Sequence, residues 1–400
     1  MKYNFDKIID RRNTYSIKYE PTWRGKPEDV LPLWVADMDF AAPPCVQKAL
    51  IRRAKHGIFG YSEPDAEFFN VMRKWFETRL NWTVERDWLT ITPGVVNALY
   101  IAVRSLTQPG DGIVIQQPVY YPFESSIRKT GRQLLVNELV YSGGRYGIDF
   151  ADFEEKIKQA KMFILCNPHN PVGRVWSREE LTRMGEICLR CGVTVIADEI
   201  HEDFIFKDQG SGHKHLVFAS LNKELENITV TCTSPSKTFN LAGLICANIF
   251  ISNKELREKF KEEYASCGLS QPGIMGLVSC KAAYEGGADW LDQLLVYLAG
   301  NMSFLKTFLV NNLPKIKLVE PEGTYLAWLD CNELGLSAKK LDETLTYKGK
   351  LWLSGGHTFG KGGNGFARIN AACPRSVLRK ALDRLKGIDW ESTQKAQEKE

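Results

Sequence analysis

Thr231-Cys-Thr-Ser-Pro-Ser-Lys-Thr-Phe-Asn-Leu-Ala-Gly243 is the stretch on which the fold of this 400-residue chain turns. The run ahead of it, Ile228 to Val230, is apolar and β-branched, which predicts a buried strand. Lys237 therefore falls just past a strand end, among hydroxyl side chains and before a glycine, where the chain must turn. A lysine there is either an ordinary loop residue or a desolvated amine. In the second case it loses its proton readily and attacks a carbonyl to form a Schiff base.

Two upstream stretches bear on that choice. Val193-Thr-Val-Ile-Ala-Asp198-Glu-Ile-His201 is an apolar strand with a carboxylate at its carboxyl end, and Met162-Phe-Ile-Leu-Cys-Asn-Pro-His-Asn170-Pro-Val-Gly173 is a strand ending in a polar turn. In a parallel sheet these ends share one edge, where open α/β folds bind ligands. An amine, a carboxylate and an amide converging there match the needs of pyridoxal phosphate. Lys237 would hold the aldehyde, Asp198 would keep the ring nitrogen protonated, and Asn170 would bond the ring hydroxyl.

With these motifs in this order, the chain resembles a fold-type I pyridoxal-phosphate enzyme of the class I/II aminotransferase superfamily, from about Phe5 to Leu385. Within it, Leu31-Pro-Leu-Trp-Val-Ala-Asp-Met-Asp-Phe40 and Pro118-Val-Tyr-Tyr-Pro-Phe123 resemble the cystathionine β-lyase and cysteine-S-conjugate β-lyase (C–S lyase) branch. The resemblance implies a doubly wound, mostly parallel α/β sheet with a smaller α+β C-terminal domain. It divides the chain into an arm over 1–45, a large cofactor-binding domain over 46–285 and a small domain over 286–400.

It also implies roles. Gly94, Val95 and Val96 would cradle the phosphate at a helix start, with Ser234 and Ser236 and with Tyr61 of the partner subunit in a homodimer that shares its active sites. Tyr120 would stack on the cofactor ring, His201 would support it from behind, Arg368 would grip the substrate carboxylate, and the backbone at Ala36 would lie beside that carboxylate. Transaminases often carry an arginine eight residues after the lysine and a tyrosine three after the aspartate. Here those positions are Ile245 and His201, which favours the lyase branch. The implied activity is α,β-elimination from L-cystathionine or a related cysteine thioether. An aminotransferase, or a regulatory protein that keeps the fold without turnover, are the alternatives.

Composition is average for a soluble globular protein. A net charge of +4 on a chain that is 25% charged implies no nucleic-acid or membrane partner. No tract approaches a membrane span, and the polar start is no signal peptide. The ten cysteines are scattered, several in apolar runs, as reduced thiols of a cytoplasmic protein are. Cys188-Leu-Arg-Cys191 lacks a second pair at zinc spacing, so no metal is expected. The glycine-rich Phe359–Gly365 precedes a strand and reads as a turn, not a nucleotide loop. Helices are expected over Val95–Leu106 and Arg178–Cys191, and a frayed tail from Glu391. Arg174 receives no role.

Overall fold

A strand that is apolar on both faces has to be covered on both faces, and that requirement shapes the centre of this protein. The computed structural model describes residues 2–206, 214–269 and 271–398. Its main sheet has strands β1 (Leu89–Thr92), β2 (Gly112–Gln117), β3 (Gln133–Glu138), β4 (Ala160–Cys166), β5 (Thr194–Asp198), β6 (Thr229–Thr233) and β7 (Ala247–Phe250). They lie in the order β1-β7-β6-β5-β4-β2-β3. Only β7 runs antiparallel to its neighbours.

Alternation along each strand feeds two separate cores. Phe163 and Leu165 of β4 join Val195 and Ala197 of β5 beneath the helices Phe150–Ile157 and Arg178–Cys191. Met162 and Ile164, with Ile196, face the opposite way, under the helix Val95–Leu106. The helix Arg178–Cys191 starts at a capping box between Ser177 and Glu180 and stops at Gly192 in the left-handed region.

The C-terminal part carries a smaller antiparallel sheet of β8 (Lys317–Leu318), β9 (Leu326–Asp330), β10 (Ser354–Gly355) and β11 (Phe366–Asn370), ordered β8-β9-β11-β10. Between β10 and β11 the glycine-rich stretch folds into two short turns. Gly356 and Gly363 press their backbones together there, and a Cβ on either would collide with the other's carbonyl. The N-terminal segment docks on this part, Leu31–Pro32 pairing in parallel with Leu351–Trp352. A third core runs from Phe5 and Phe40 through Trp290 and Leu298 to Leu382.

Two sequence expectations need correction. The tail is not frayed from Glu391: Trp390–Gln397 is helical, capped by Asp389. Lys348 Nζ donates to Thr393 Oγ1 at 2.8 Å, and Gln397 bonds Ser337 N and Gly335 O. One helix, Ala288–Asn312, is also long and apolar enough to cross a membrane. Its Trp290, Leu291, Leu294, Leu298 and Leu305 are buried in the core, as in the central helix of a globular protein.

Candidate active site

Four parallel strands of the large sheet end at one edge, and each hands on to a residue singled out from sequence. Gly94 follows β1, Asn170 follows β4, Asp198 closes β5, and Lys237 follows β6. They surround a cavity of about 200 Å³, lined also by Ala36, Val95, Val96, Tyr120, His201, Ser234 and Ser236.

Lys237 sits on a single helical turn, Pro235–Thr238. Its Nζ donates to the carbonyl of Ala36 at 2.9 Å. Burial is the main reason its pKa falls to about 8; Arg368 pushes the same way, while Asp37 and Asp198 oppose it. Asp198 is buried too, and desolvation lifts its pKa to about 7 against the pull of Lys237 and a 3.2 Å bond from Ile200 N to Oδ1. Burial thus moves the amine down and the carboxylate up, so the two pKa values approach each other.

Arg368, on β11, enters from the small sheet. Nη1 donates to Asn170 Oδ1 at 3.0 Å, and Nη2 donates to Trp34 O at 2.7 Å and Ser354 Oγ at 3.2 Å. No carboxylate among the described residues pairs with it, and its Nε has no partner. Burial draws its pKa down to about 10, which still leaves it charged at neutral pH. A buried guanidinium without an anion is costly, and an incoming carboxylate removes that cost.

At the other end, the helix Val95–Leu106 opens without a side-chain cap, and a Cβ on Gly94 would meet nothing within 4 Å. Gly94, Val95 and Val96 line the cavity, so the helix start borders it, an arrangement that suits a phosphate. The two serines differ. Ser234 Oγ donates its hydrogen to Cys246 O at 2.7 Å and accepts from Ser236 N at 3.1 Å, so it has no proton left for a phosphate. Ser234 nonetheless lines the cavity beside Ser236. Ser236 Oγ makes no hydrogen bond among the described residues.

Tyr120 borders the cavity with its backbone N bonded to Asn170 O, and burial raises its pKa to about 12. His201 lies against Phe204 and Tyr325, and burial, Lys237 and Arg368 hold it neutral. Tyr61 does not reach the cavity of its own chain: it is 95% exposed, in the loop before the helix Ala66–Leu80. Ile245, where an arginine would stand in many transaminases, is exposed and left-handed (φ 52°).

Several residues escaped sequence reading. Tyr325 Oη donates to Ala36 O at 2.9 Å, sharing that acceptor with Lys237. Asn370 Nδ2 donates to Val35 O and Asp37 O, both at 2.6 Å, and Asn240 Nδ2 to Met38 O and Phe40 O. No motif announces such contacts; only the position of Asn370 two residues after Arg368 hints at one. Arg174 proves to be a strut. It is fully buried, with Nε on Glu322 at 2.9 Å and Nη2 on Glu180 at 2.9 Å, tying the Asn170 turn to the C-terminal part. Behind Asp198, Glu199 accepts from His215 Nε2 at 3.1 Å and from Phe218 N at 2.8 Å, with Glu202 close by.

A lysine, an aspartate and an asparagine at adjoining strand ends, facing an arginine from a second sheet, define the class of protein. The chain belongs to the aminotransferase class I and II family, whose model matches residues 28–385. It is 45% identical over 386 residues to cystathionine beta-lyase PatB of Bacillus subtilis (strain 168), covering 96% of this chain and 99% of that one. The structure of cystalysin from Treponema denticola, which contains a pyridoxal 5'-phosphate cofactor, superposes with a TM-score of 0.93 at 37% identity, over 96% of this chain and 98% of that one. The PLP-bound C-S lyase of Staphylococcus hominis does so with a TM-score of 0.89 at 33% identity and the same coverage.

Proposed function

We propose that this protein is a pyridoxal-phosphate-dependent C–S β-lyase that cleaves L-cystathionine or a related cysteine thioether to a thiol, pyruvate and ammonia, with one water consumed. The observation that carries the reading is the buried Arg368, with no carboxylate partner among the described residues, bonded to the cavity-lining Asn170 while the buried Lys237 lines the same cavity. Near-full-length similarity to PatB supports the lyase over the transaminase.

The residues present fit the cofactor. The uncapped helix at Gly94–Val96 and the free hydroxyl of Ser236 suit its phosphate, Asp198 its ring nitrogen, Asn170 its ring hydroxyl, and Tyr120 the face of its ring. When bound, the cofactor supplies an aldehyde for Lys237 and a protonated ring that draws electrons away from the substrate Cα.

This chain's residues do the rest. Arg368 holds the substrate carboxylate by its planar fork and so aims the Cα–H bond. The Lys237 amine, its pKa already lowered, takes the Cα proton. Departure of the thiolate from Cβ then needs only a good leaving group. Asp198, ionised beside a cationic ring, keeps that ring protonated, and neutral His201 adds no competing charge. In this reading 1–45 forms the arm at the mouth, 46–285 holds the cofactor and 286–400 closes over it.

We assign a homodimer to the active form, with Tyr61 reaching the neighbouring cavity; its 95% exposure here accords with that. A reducing, cytoplasmic setting accords with ten cysteines that are all unpaired.

The decisive experiment supplies L-cystathionine without any keto acid. Pyruvate, followed by a coupled dehydrogenase, and thiol, followed by a disulfide reagent, are expected in equal amounts. Turnover that needs a keto-acid acceptor and frees no thiol would make the protein an aminotransferase.

A further inference from the structure

Just past Asp198 the chain buries two more acids and a histidine that the reaction does not use. Glu199, Glu202 and His215 are exposed by 0%, 2% and 7%, and none of them lines the cofactor cavity. One oxygen of each carboxylate and one ring nitrogen of the histidine all lie within 4.8 Å of one another. Their hydrogen bonding is incomplete. Glu199 accepts from Phe218 N on Oε1 and from His215 Nε2 on Oε2, but Glu202 Oε2 and His215 Nδ1 are buried with no partner. Unpaired polar atoms are costly inside a protein and call for an explanation. Charge does not balance either, because a protonated imidazole neutralises one of two buried carboxylates and leaves the other.

We propose that Glu199, Glu202 and His215 form a binding site for a zinc-type divalent cation. Two carboxylates, a neutral imidazole and a dication make an electroneutral set, and the ion takes up the lone pairs that now lack partners. The donors select the ion. Calcium takes six to eight oxygens and magnesium keeps most of its waters, whereas zinc accepts mixed nitrogen and oxygen ligands, with water in a fourth position. Tetrahedral ligand atoms around zinc sit about 3.4 Å apart, so the three side chains have to close by at most roughly 1.4 Å. The ion would staple the turn after β5, which carries both glutamates, to the segment from His215 to Phe218. That junction already has two other ties: Glu199 N donates to Cys232 O on β6 at 2.9 Å, and Asn167 Nδ2 to Leu216 O at 3.2 Å. The cation is a clip on backbone adjoining Asp198 and takes no part in bond breaking. The inference is independent of which reaction the cavity performs.

The test uses untagged, cofactor-loaded protein, dialysed against a chelator and then against buffers of fixed free zinc. Zinc retained per chain is counted by plasma mass spectrometry, and the thermal midpoint is read at each zinc level. The parent should retain one more zinc per chain than Glu202→Gln or His215→Gln. Its midpoint should climb with zinc while theirs stay in place, and calcium should move none of the three. Equal zinc in the parent and both variants would put the ion elsewhere. No zinc in the parent would leave two acids sharing a proton beside the histidine. Either result overturns the proposal. If neither variant folds, X-ray absorption at the zinc edge of the loaded parent decides. One imidazole with oxygen neighbours supports the site, and sulfur or a second imidazole refutes it.

Discussion

Asp198, Asn170 and Lys237 are carried by backbone that strands or tight turns already hold, whereas along Trp34–Met38 side chains hold the backbone carbonyls. At the sheet edge, main-chain pairing of β4, β5 and β6 sets the side chains pointing into the cavity. Along the segment, the carbonyls of Trp34, Val35, Ala36, Asp37 and Met38 have no strand partner. Each accepts instead from a side chain: Arg368, Asn370, Lys237 with Tyr325, Asn370 with Lys18, and Asn240 with Arg11. Buried carbonyls need partners, so an irregular segment at a cavity mouth has to borrow them from afar. The two regions should therefore fail differently, one in chemistry and the other in stability.

Substitution at the sheet edge should give the largest effect. Asp198→Asn keeps the fold and the cofactor, yet turnover should fall about 10²–10³-fold, because a neutral amide does not hold the ring nitrogen protonated. The sign for stability is opposite. A carboxyl whose pKa is raised from 3.8 to about 7 in the folded, cofactor-free chain weakens folding as pH rises through that window. Asn at 198 removes the penalty, so the urea midpoint at pH 8 should hold or rise. A fallen midpoint would erase the contrast between the regions.

Asn370→Ala tests the other side. It removes the donor to Val35 O and Asp37 O and the acceptor for Ala372 N, all inside the protein. A loss of about 2–3 kcal/mol is expected, read as a lower urea midpoint at unchanged slope. A midpoint within error of the parent would mean that the segment is held by packing alone.

The smallest effect sharpens the comparison at Lys237, where the regions meet. With its pKa near 8, the free amine grows about tenfold between pH 7 and pH 9 and then levels off. Capture of pyridoxal phosphate by the stripped protein, followed by absorbance in stopped flow, should rise with pH over that range. A flat profile would show that the amine is already neutral at pH 7.

The same contrast explains what could be read in advance. Val95–Leu106 and Arg178–Cys191 were legible to the residue, because local sequence determines where such helices begin and end. The motifs NPHNPVG, DEIH and SPSKTFNLAG lie at strand ends, so topology alone gathered Asn170, Asp198 and Lys237. Contacts between distant residues left no such trace. Tyr325, Asn370 and Asn240 act across about 200 to 335 positions of sequence through single hydrogen bonds, which no periodicity records. The partner of the Ser234 hydroxyl was hidden for the same reason: it is the carbonyl of Cys246, just ahead of β7. The tail helix was missed because Trp390–Gln397 is short and polar and depends on a cap and on contacts with Lys348 and Ser337.

Arg174 has a mechanical consequence. Buried between Glu322 and Glu180, it fastens the C-terminal part to the large sheet beside the turn that carries Asn170. One guanidinium thus pins two carboxylates from opposite parts of the chain, and its removal would leave Glu322 and Glu180 as two acids facing a buried gap.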